Sequence, residues 1–253
     1  MLHPGSFDFV GAKSLVLSWR QPVPDGCRAA FPVPAAFIEE PEVGEDPGMN
    51  VPEALDAWQA QYAGQPPVGF MLRFTHDSVW TRIHYLRDGT ESATIEDDRR
   101  IASRFNGVAG ALFNGATVLV LGIHLDPRHE DKTELRALGA TPVPPPESWI
   151  EALREYLPDS GRAEFVGATL LWQRGCLDQL WMAVARDLIG PIAVFCPATG
   201  DAFCPYGGGA DVFVWGAERR SKLGDRFRTW LPSAELSGPQ SKLPAGGMAI
   251  EHG

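Results

Sequence analysis

Proline limits this chain more than any other residue. There are 22 in 253 positions, about 9% against a usual ~5%, and they cluster. Pro22, Pro24, Pro32, Pro34, Pro41, Pro47 and Pro52 fall within residues 20–52, together with the acidic run 39–46. Each proline lacks an amide donor and holds its predecessor in extended geometry, so neither a long helix nor a central strand fits that spacing. Segment 20–52 therefore reads as a long surface loop. Residues 232–253 mix Ser, Pro, Gly and Lys without an apolar period and read as a disordered tail. Residues 1–231 are expected to form a single domain.

Between the proline-rich stretches the hydrophobic periods are legible. Residues 14–19 read as a first strand, and 53–62 as a short helix with Leu55, Trp58 and Tyr62 turned inward. Runs 69–74 and 79–85 read as two strands of a hairpin joined by Thr75, His76, Asp77 and Ser78. Ile101, Phe105, Val108 and Leu112 give one buried face to a helix over 99–114. The nearly unbroken apolar run 117–123 predicts a strand covered on both faces. After Pro142, Pro144, Pro145 and Pro146, Ser148 and Glu151 have capping-box spacing, and the helix they begin turns Trp149, Leu153, Tyr156 and Leu157 inward.

A strand over 165–172 and a helix over 176–188 follow. Strands 192–196 and 202–206 flank a turn, and Gly207, Gly208 and Gly209 allow a bend before a strand over 211–215. A closing helix over 218–231 would bury Leu223, Phe227, Trp230 and Leu231. The hairpins argue against a parallel sheet. The expected fold class is α+β, a mixed and largely antiparallel sheet with packed amphipathic helices.

Acidic residues number 32 against 22 basic ones, a net charge of −10. That balance disfavours nucleic acid and anionic membrane as partners, since both are polyanions. No apolar run approaches the ~20 residues that span a bilayer, and no signal-like segment opens the chain, so a cytoplasmic location is expected. Cys27, Cys176, Cys196 and Cys204 lack metal or redox spacing and read as reduced thiols.

Four constellations remain for chemistry. His124, Asp126 and His129 follow a buried strand and are of metal-ligating type, but their spacing fits no known geometry, so no metal is expected. A turn centred on Gly200 would set Cys196 opposite Cys204, most simply as two buried thiols. The triglycine lacks the Lys or Ser/Thr of a phosphate loop and precedes Asp211, which favours a structural bend. Trp80, Arg82 and His84 alternate on one strand face, away from Val79 and Ile83, and so point toward a second layer or a cleft.

Three segments together resemble a bacterial domain family of unknown function. They are Trp80-Thr-Arg82-Ile-His84, then Arg104-Phe-Asn106, then Pro205-Tyr206-Gly-Gly-Gly-Ala-Asp211-Val212, followed by Arg220, Leu223 and Trp230-Leu231. Members of that family typically show Trp-x-Arg-Ile-His, Arg-His-Asn and Pro-Tyr-Asp-Gly-Gly-x-Asp-Val. The likeness spans about residues 70–231. Gly207 stands in place of an aspartate, and Phe105 in place of a histidine. The resemblance implies that Arg82, His84, Tyr206 and Asp211 belong to one region, and it brings no reaction with it.

Two functional expectations follow. The first is a non-catalytic protein-binding domain, immunity- or antitoxin-like, without a cofactor, whose binding residues are Trp80, Arg82, His84, Tyr206 and Asp211 and whose partner is a basic protein. The alternative is an enzyme in which Asp211 and His84 form an acid/base pair and Arg82 orients an anionic substrate.

Overall fold

The computed structural model describes residues 49–86, 94–124, 133–156 and 163–231, all within one compact unit, Gly48–Gly253. The strand expected at 14–19, most of the loop 20–52, residues 125–132 and the tail 232–253 lie outside the described residues. Of the proline-rich loop, Val51 and Pro52 form the first turn of a helix, where a missing amide donor costs nothing.

Among the described residues seven strands build one sheet, and every pairing is antiparallel. In chain order they are β1 (Trp80–His84), β2 (Thr117–His124), β3 (Thr141–Pro142), β4 (Glu164–Leu171), β5 (Ile192–Phe195), β6 (Ala202–Tyr206) and β7 (Gly209–Phe213). Across the sheet their order is β1-β7-β6-β5-β2-β4-β3. The helices are α1 (Val51–Gln61), α2 (Gly69–Thr75), α3 (Ile95–Phe113), α4 (Thr133–Ala137), α5 (Glu147–Tyr156), α6 (Asp178–Ala185) and α7 (Ala217–Arg226).

Alternation along the strands sends side chains to both faces, and both faces are covered. On one, Val118, Val120, Val194, Phe203 and Val212 meet the inner sides of α3 and α6. On the other, Leu119, Leu121, Phe195, Ala202 and Phe213 meet Trp58 and Tyr62, Met71 and Leu72 of α2, and Trp149 of α5. The result is the expected α+β class, a helix–sheet–helix sandwich with two apolar cores.

Several local features carry their own explanation. The Asn50 side chain accepts from the Glu53 amide at 3.0 Å and the Glu53 carboxylate accepts from the Asn50 amide at 3.4 Å, which caps α1 reciprocally. Thr94 caps α3, and Glu96, Asp97 and Asp98 complement the positive end of its dipole. Ile101, Phe105, Val108 and Leu112 are buried as their spacing requires.

Other expectations give way. Run 69–74 is helical rather than a hairpin strand. Pro66 and Pro67 precede it, Met71 and Leu72 turn inward, and Phe74 is 52% exposed, an apolar pattern too short to separate the two periods. Helix α5 starts at Glu147, which puts Ser148 inside its first turn, and the Ser148 hydroxyl donates to the Gly64 carbonyl at 3.2 Å instead of capping.

The closing helix also ends early, at Arg226. A 3-10 turn, Arg228–Trp230, completes the segment. Trp230 stacks on Phe227 at 4.7 Å and lies under the Arg104 guanidinium, 5.0 Å from its ring centroid. It remains only partly buried. Trp230→Ala should therefore cost about 1–2 kcal/mol, below the ~3–5 of a fully buried tryptophan. Urea unfolding checks this. A loss above about 3 kcal/mol would mean that the indole carries core packing.

Candidate functional site

The candidate site forms where β1, at one edge of the sheet, pairs with β7. The register sets Arg82 opposite Asp211 and Trp80 opposite Phe213, and β7 in turn sets Asp211 opposite Cys204 and Gly209 opposite Tyr206. Trp80, Arg82, Cys204, Tyr206 and Asp211 therefore share one face. Asp211 is a carboxylate at 2% exposure. Burying such a charge is costly unless partners replace its water.

Those partners are present. One oxygen, Oδ1, accepts from the Trp80 indole Nε1 at 2.9 Å and from Arg82 Nε at 3.1 Å and Nη2 at 3.0 Å. The Arg82 guanidinium also lies 5.4 Å from the ring centroids of Trp80 and of Tyr206, within cation–π range. Burial works to lower the Arg82 pKa, and the charge and hydrogen bonds of Asp211 more than offset it, so the guanidinium is held charged. Burial, then the negative Asp211, pushes the Tyr206 hydroxyl above its ordinary range. Tyr206 is thus a neutral hydroxyl at any physiological pH.

Two glycines let the backbones come this close. A Cβ at Gly209 would lie 2.2 Å from the Ile83 carbonyl oxygen, so only glycine lets β7 start beside β1. A Cβ at Gly69 would lie 2.8 Å from the Cβ of Cys204 and 3.2 Å from Asp211 Oδ2, so glycine there lets α2 rest on the carboxylate. The expected triglycine bend is a tight hairpin turn of Gly207 and Gly208, and Gly209 already belongs to β7. A Cβ at Gly207 would meet Asp187 Oδ1 at 2.6 Å, so a side chain there requires the Asp187 carboxylate to move aside.

Four of the five expected site residues, Trp80, Arg82, Tyr206 and Asp211, therefore converge. His84 stands two residues further along β1, opposite Gly209, and makes no hydrogen bond to Asp211; its backbone carbonyl accepts from Arg104 Nη1 at 3.0 Å. A fifth participant escapes the sequence reading. Arg73, in α2, has no carboxylate within salt-bridge distance among the described residues, and its Nε is buried without an acceptor. Burial, then the positive charge of Arg82, lowers its pKa, and Asp211 and Tyr206 pull it back. Nothing in the sequence marks Arg73 separately while run 69–74 reads as a strand, since the short apolar pattern fits either period.

The remaining candidates separate. Cys196 faces the first core and Cys204 the second, and the Cys196 amide donates to the Asp201 carbonyl at 2.9 Å. The two thiols are thus not a cross-strand pair. Burial, then Asp211, pushes the Cys204 thiol well above its ordinary value, which makes it inert. Phe105 packs edge-on against Tyr85, Trp181 and Phe203 in the core. Asn106 is buried and donates to Asp178 at 2.5 Å while accepting from the Gly175 amide at 3.0 Å, a structural tie. His124 ends β2 at 1% exposure, and Asp126 and His129 lie outside the described residues. An open hollow lined by Glu96, Arg99, Arg100, Ser103, Arg104 and Trp230 contains none of the expected site residues.

Asp201, fully buried, forms a second polar knot. Its Oδ1 accepts from the Trp215 amide at 2.9 Å, its Oδ2 pairs with Arg219, and beside it the Tyr62 hydroxyl donates to the Gly200 carbonyl at 2.9 Å. This fastens the β5–β6 turn to the start of α7.

Fold and site together define an antiparallel α+β domain with an arginine–aromatic face built on a buried aspartate. The chain belongs to the family described as domain of unknown function (DUF3885), whose model matches residues 67–235. The match coincides closely with the span of the resemblance. Comparison with curated proteins and comparison with solved structures find no match.

The buried Asp201 gives a pH test. Burial raises its carboxyl above the ordinary value, against the opposing pull of the Trp215 amide and Arg219. The folded chain then keeps this proton to higher pH than the unfolded chain, so Asp201 removes stability as pH rises from about 4 through its raised value. Asp201→Asn abolishes that titration. The melting temperature of the variant minus that of the parent should become more positive as pH rises from about 4. A difference independent of pH would show that Asp201 titrates normally.

Proposed function

We propose that this domain is a non-catalytic protein-binding module, and that its contact surface is the face formed by Trp80, Arg82, Tyr206 and Phe74. The observation that carries this reading is the engagement of Asp211. A general base needs a lone pair within reach of a substrate proton. Asp211 is buried, and three donors already converge on one of its oxygens. His84, its expected partner in acid/base chemistry, is not hydrogen-bonded to it. The cluster holds one guanidinium 5.4 Å from the ring centroids of both Trp80 and Tyr206, and in α2 the half-exposed ring of Phe74 lies beneath the neighbouring Arg73, whose guanidinium is 5.0 Å from its centroid. Arginine, tryptophan and tyrosine held rigid in this way are the residues that dominate protein–protein contacts.

Net charge supplies the second element. A chain at −10 attracts a basic protein over distances of about a Debye length, ~8–10 Å at physiological salt. The rigid face then fixes orientation at contact. Long-range attraction and local anchoring are separate roles, carried by different residues.

The test is affinity capture with the full chain at low salt, using Phe74→Ser as the comparison. Phe74 is 52% exposed, so the variant should melt within about 1 °C of the parent. The reading expects a basic protein that the parent retains, that elutes as salt rises, and that Phe74→Ser retains several-fold less. Identical profiles from both chains would overturn it.

A further inference from the structure

We propose that Arg73 and Arg82, flanked by Tyr206, form an anion site that accepts a carboxylate carried by the bound protein. This rests on the protein-binding reading above and names the chemistry at its centre.

Charge balance is the first argument. Two guanidinium groups belong to this corner, and among the described residues the one carboxylate that touches either is Asp211, whose Oδ1 serves Arg82 and Trp80. The local sum is one positive charge in a partly desolvated setting. Position is the second argument. Helix α2 begins at Gly69, on top of Asp211, and Arg73 follows one turn later, which keeps it on the part of the helix beside the site.

Chemistry is the third argument. The Nε of Arg73 is buried without an acceptor, an arrangement that costs free energy unless something supplies one. Both guanidiniums influence the Tyr206 hydroxyl electrostatically, and Arg82 and Asp211 influence Arg73, so the four groups form one electrostatic unit. A neutral phenol beside two guanidiniums offers a further donor to an oxyanion. Planar guanidinium groups bind carboxylates in a forked geometry that an ammonium cannot match. A carboxylate entering here would receive donors from Arg73, Arg82 Nη1 and Tyr206, and would leave to Asp211 the Arg82 Nε and Nη2 it already holds.

The experiment follows the Trp80 indole N–H resonance of the full chain while sodium acetate replaces sodium chloride at constant ionic strength. The proposal expects a saturable shift. A terminally blocked triglutamate peptide should reach half-saturation at a several-fold lower concentration than acetate. Arg73→Met should raise both half-saturating concentrations by about tenfold or more, with Arg73→Gln as a second variant of similar length. Both variants should melt close to the parent, because Arg73 has no ion pair among the described residues and gives up only its contact with the half-exposed Phe74 ring. A drift that never saturates, or one equal in parent and variants, would overturn the site. Saturation by acetate with no gain from the peptide would overturn its assignment to a protein-borne carboxylate. Loss of partner capture in Phe74→Ser without any acetate response would leave the binding face standing and remove this site alone.

Discussion

A carboxylate taken out of water must be answered by donors, and that requirement at Asp211 organises the edge of this sheet. Water would have offered it several hydrogen bonds, and in the folded chain the Trp80 indole and both Arg82 donors replace them. Those donors come from β1, whose register against β7 places Arg82 directly across from the acid. A slip of one residue would move Arg82 to the other face and leave the charge unanswered inside an apolar layer. The ion pair thus fixes the register of an edge strand that pairs, among the described strands, with β7 alone.

The consequences reach outward from there. Because Arg82 is held by Asp211 and lies 5.4 Å from the ring centroids of Trp80 and Tyr206, its side chain is already ordered in the folded chain. Because Gly69 has no side chain, α2 approaches the acid closely enough to bring Arg73 into the same field. A larger residue would lift the helix and separate the two arginines. The face is therefore a product of packing constraints in the core beneath it.

Much of this was legible in the sequence, and the reasons are physical. The alternation of Trp80, Arg82 and His84 against Ile83 and Tyr85 reports a strand with one buried face, and the structure keeps that division. The spacing of Ile101, Phe105, Val108 and Leu112 repeats with the turn of a helix and survives any error in its ends. Short segments were harder. Run 69–74 offers six residues, fewer than two helical turns, and its apolar content fits either period. Mistaking it for a strand hid Arg73. Cys196 and Cys204 are buried free thiols as expected, but their placement opposite each other failed because register depends on loop geometry. The turn runs from Cys196 to Asp201, with Gly200 in the left-handed region, and the three-residue difference places the two thiols on opposite faces. Trp230 was misjudged because its period continues past Arg226 while the backbone tightens into a 3-10 turn.

The central claim is that Asp211 and Arg82 hold one another in place at the edge of the sheet. A double-mutant cycle of Arg82→Met and Asp211→Ala, read by urea unfolding, tests it most directly. Each single variant leaves a charge or a donor set without its partner and should cost about 3–5 kcal/mol. The double variant removes both and should fall short of the sum by about 1.5 kcal/mol or more. Costs that add to within about 0.5 kcal/mol would contradict the account, since the two residues would then act independently.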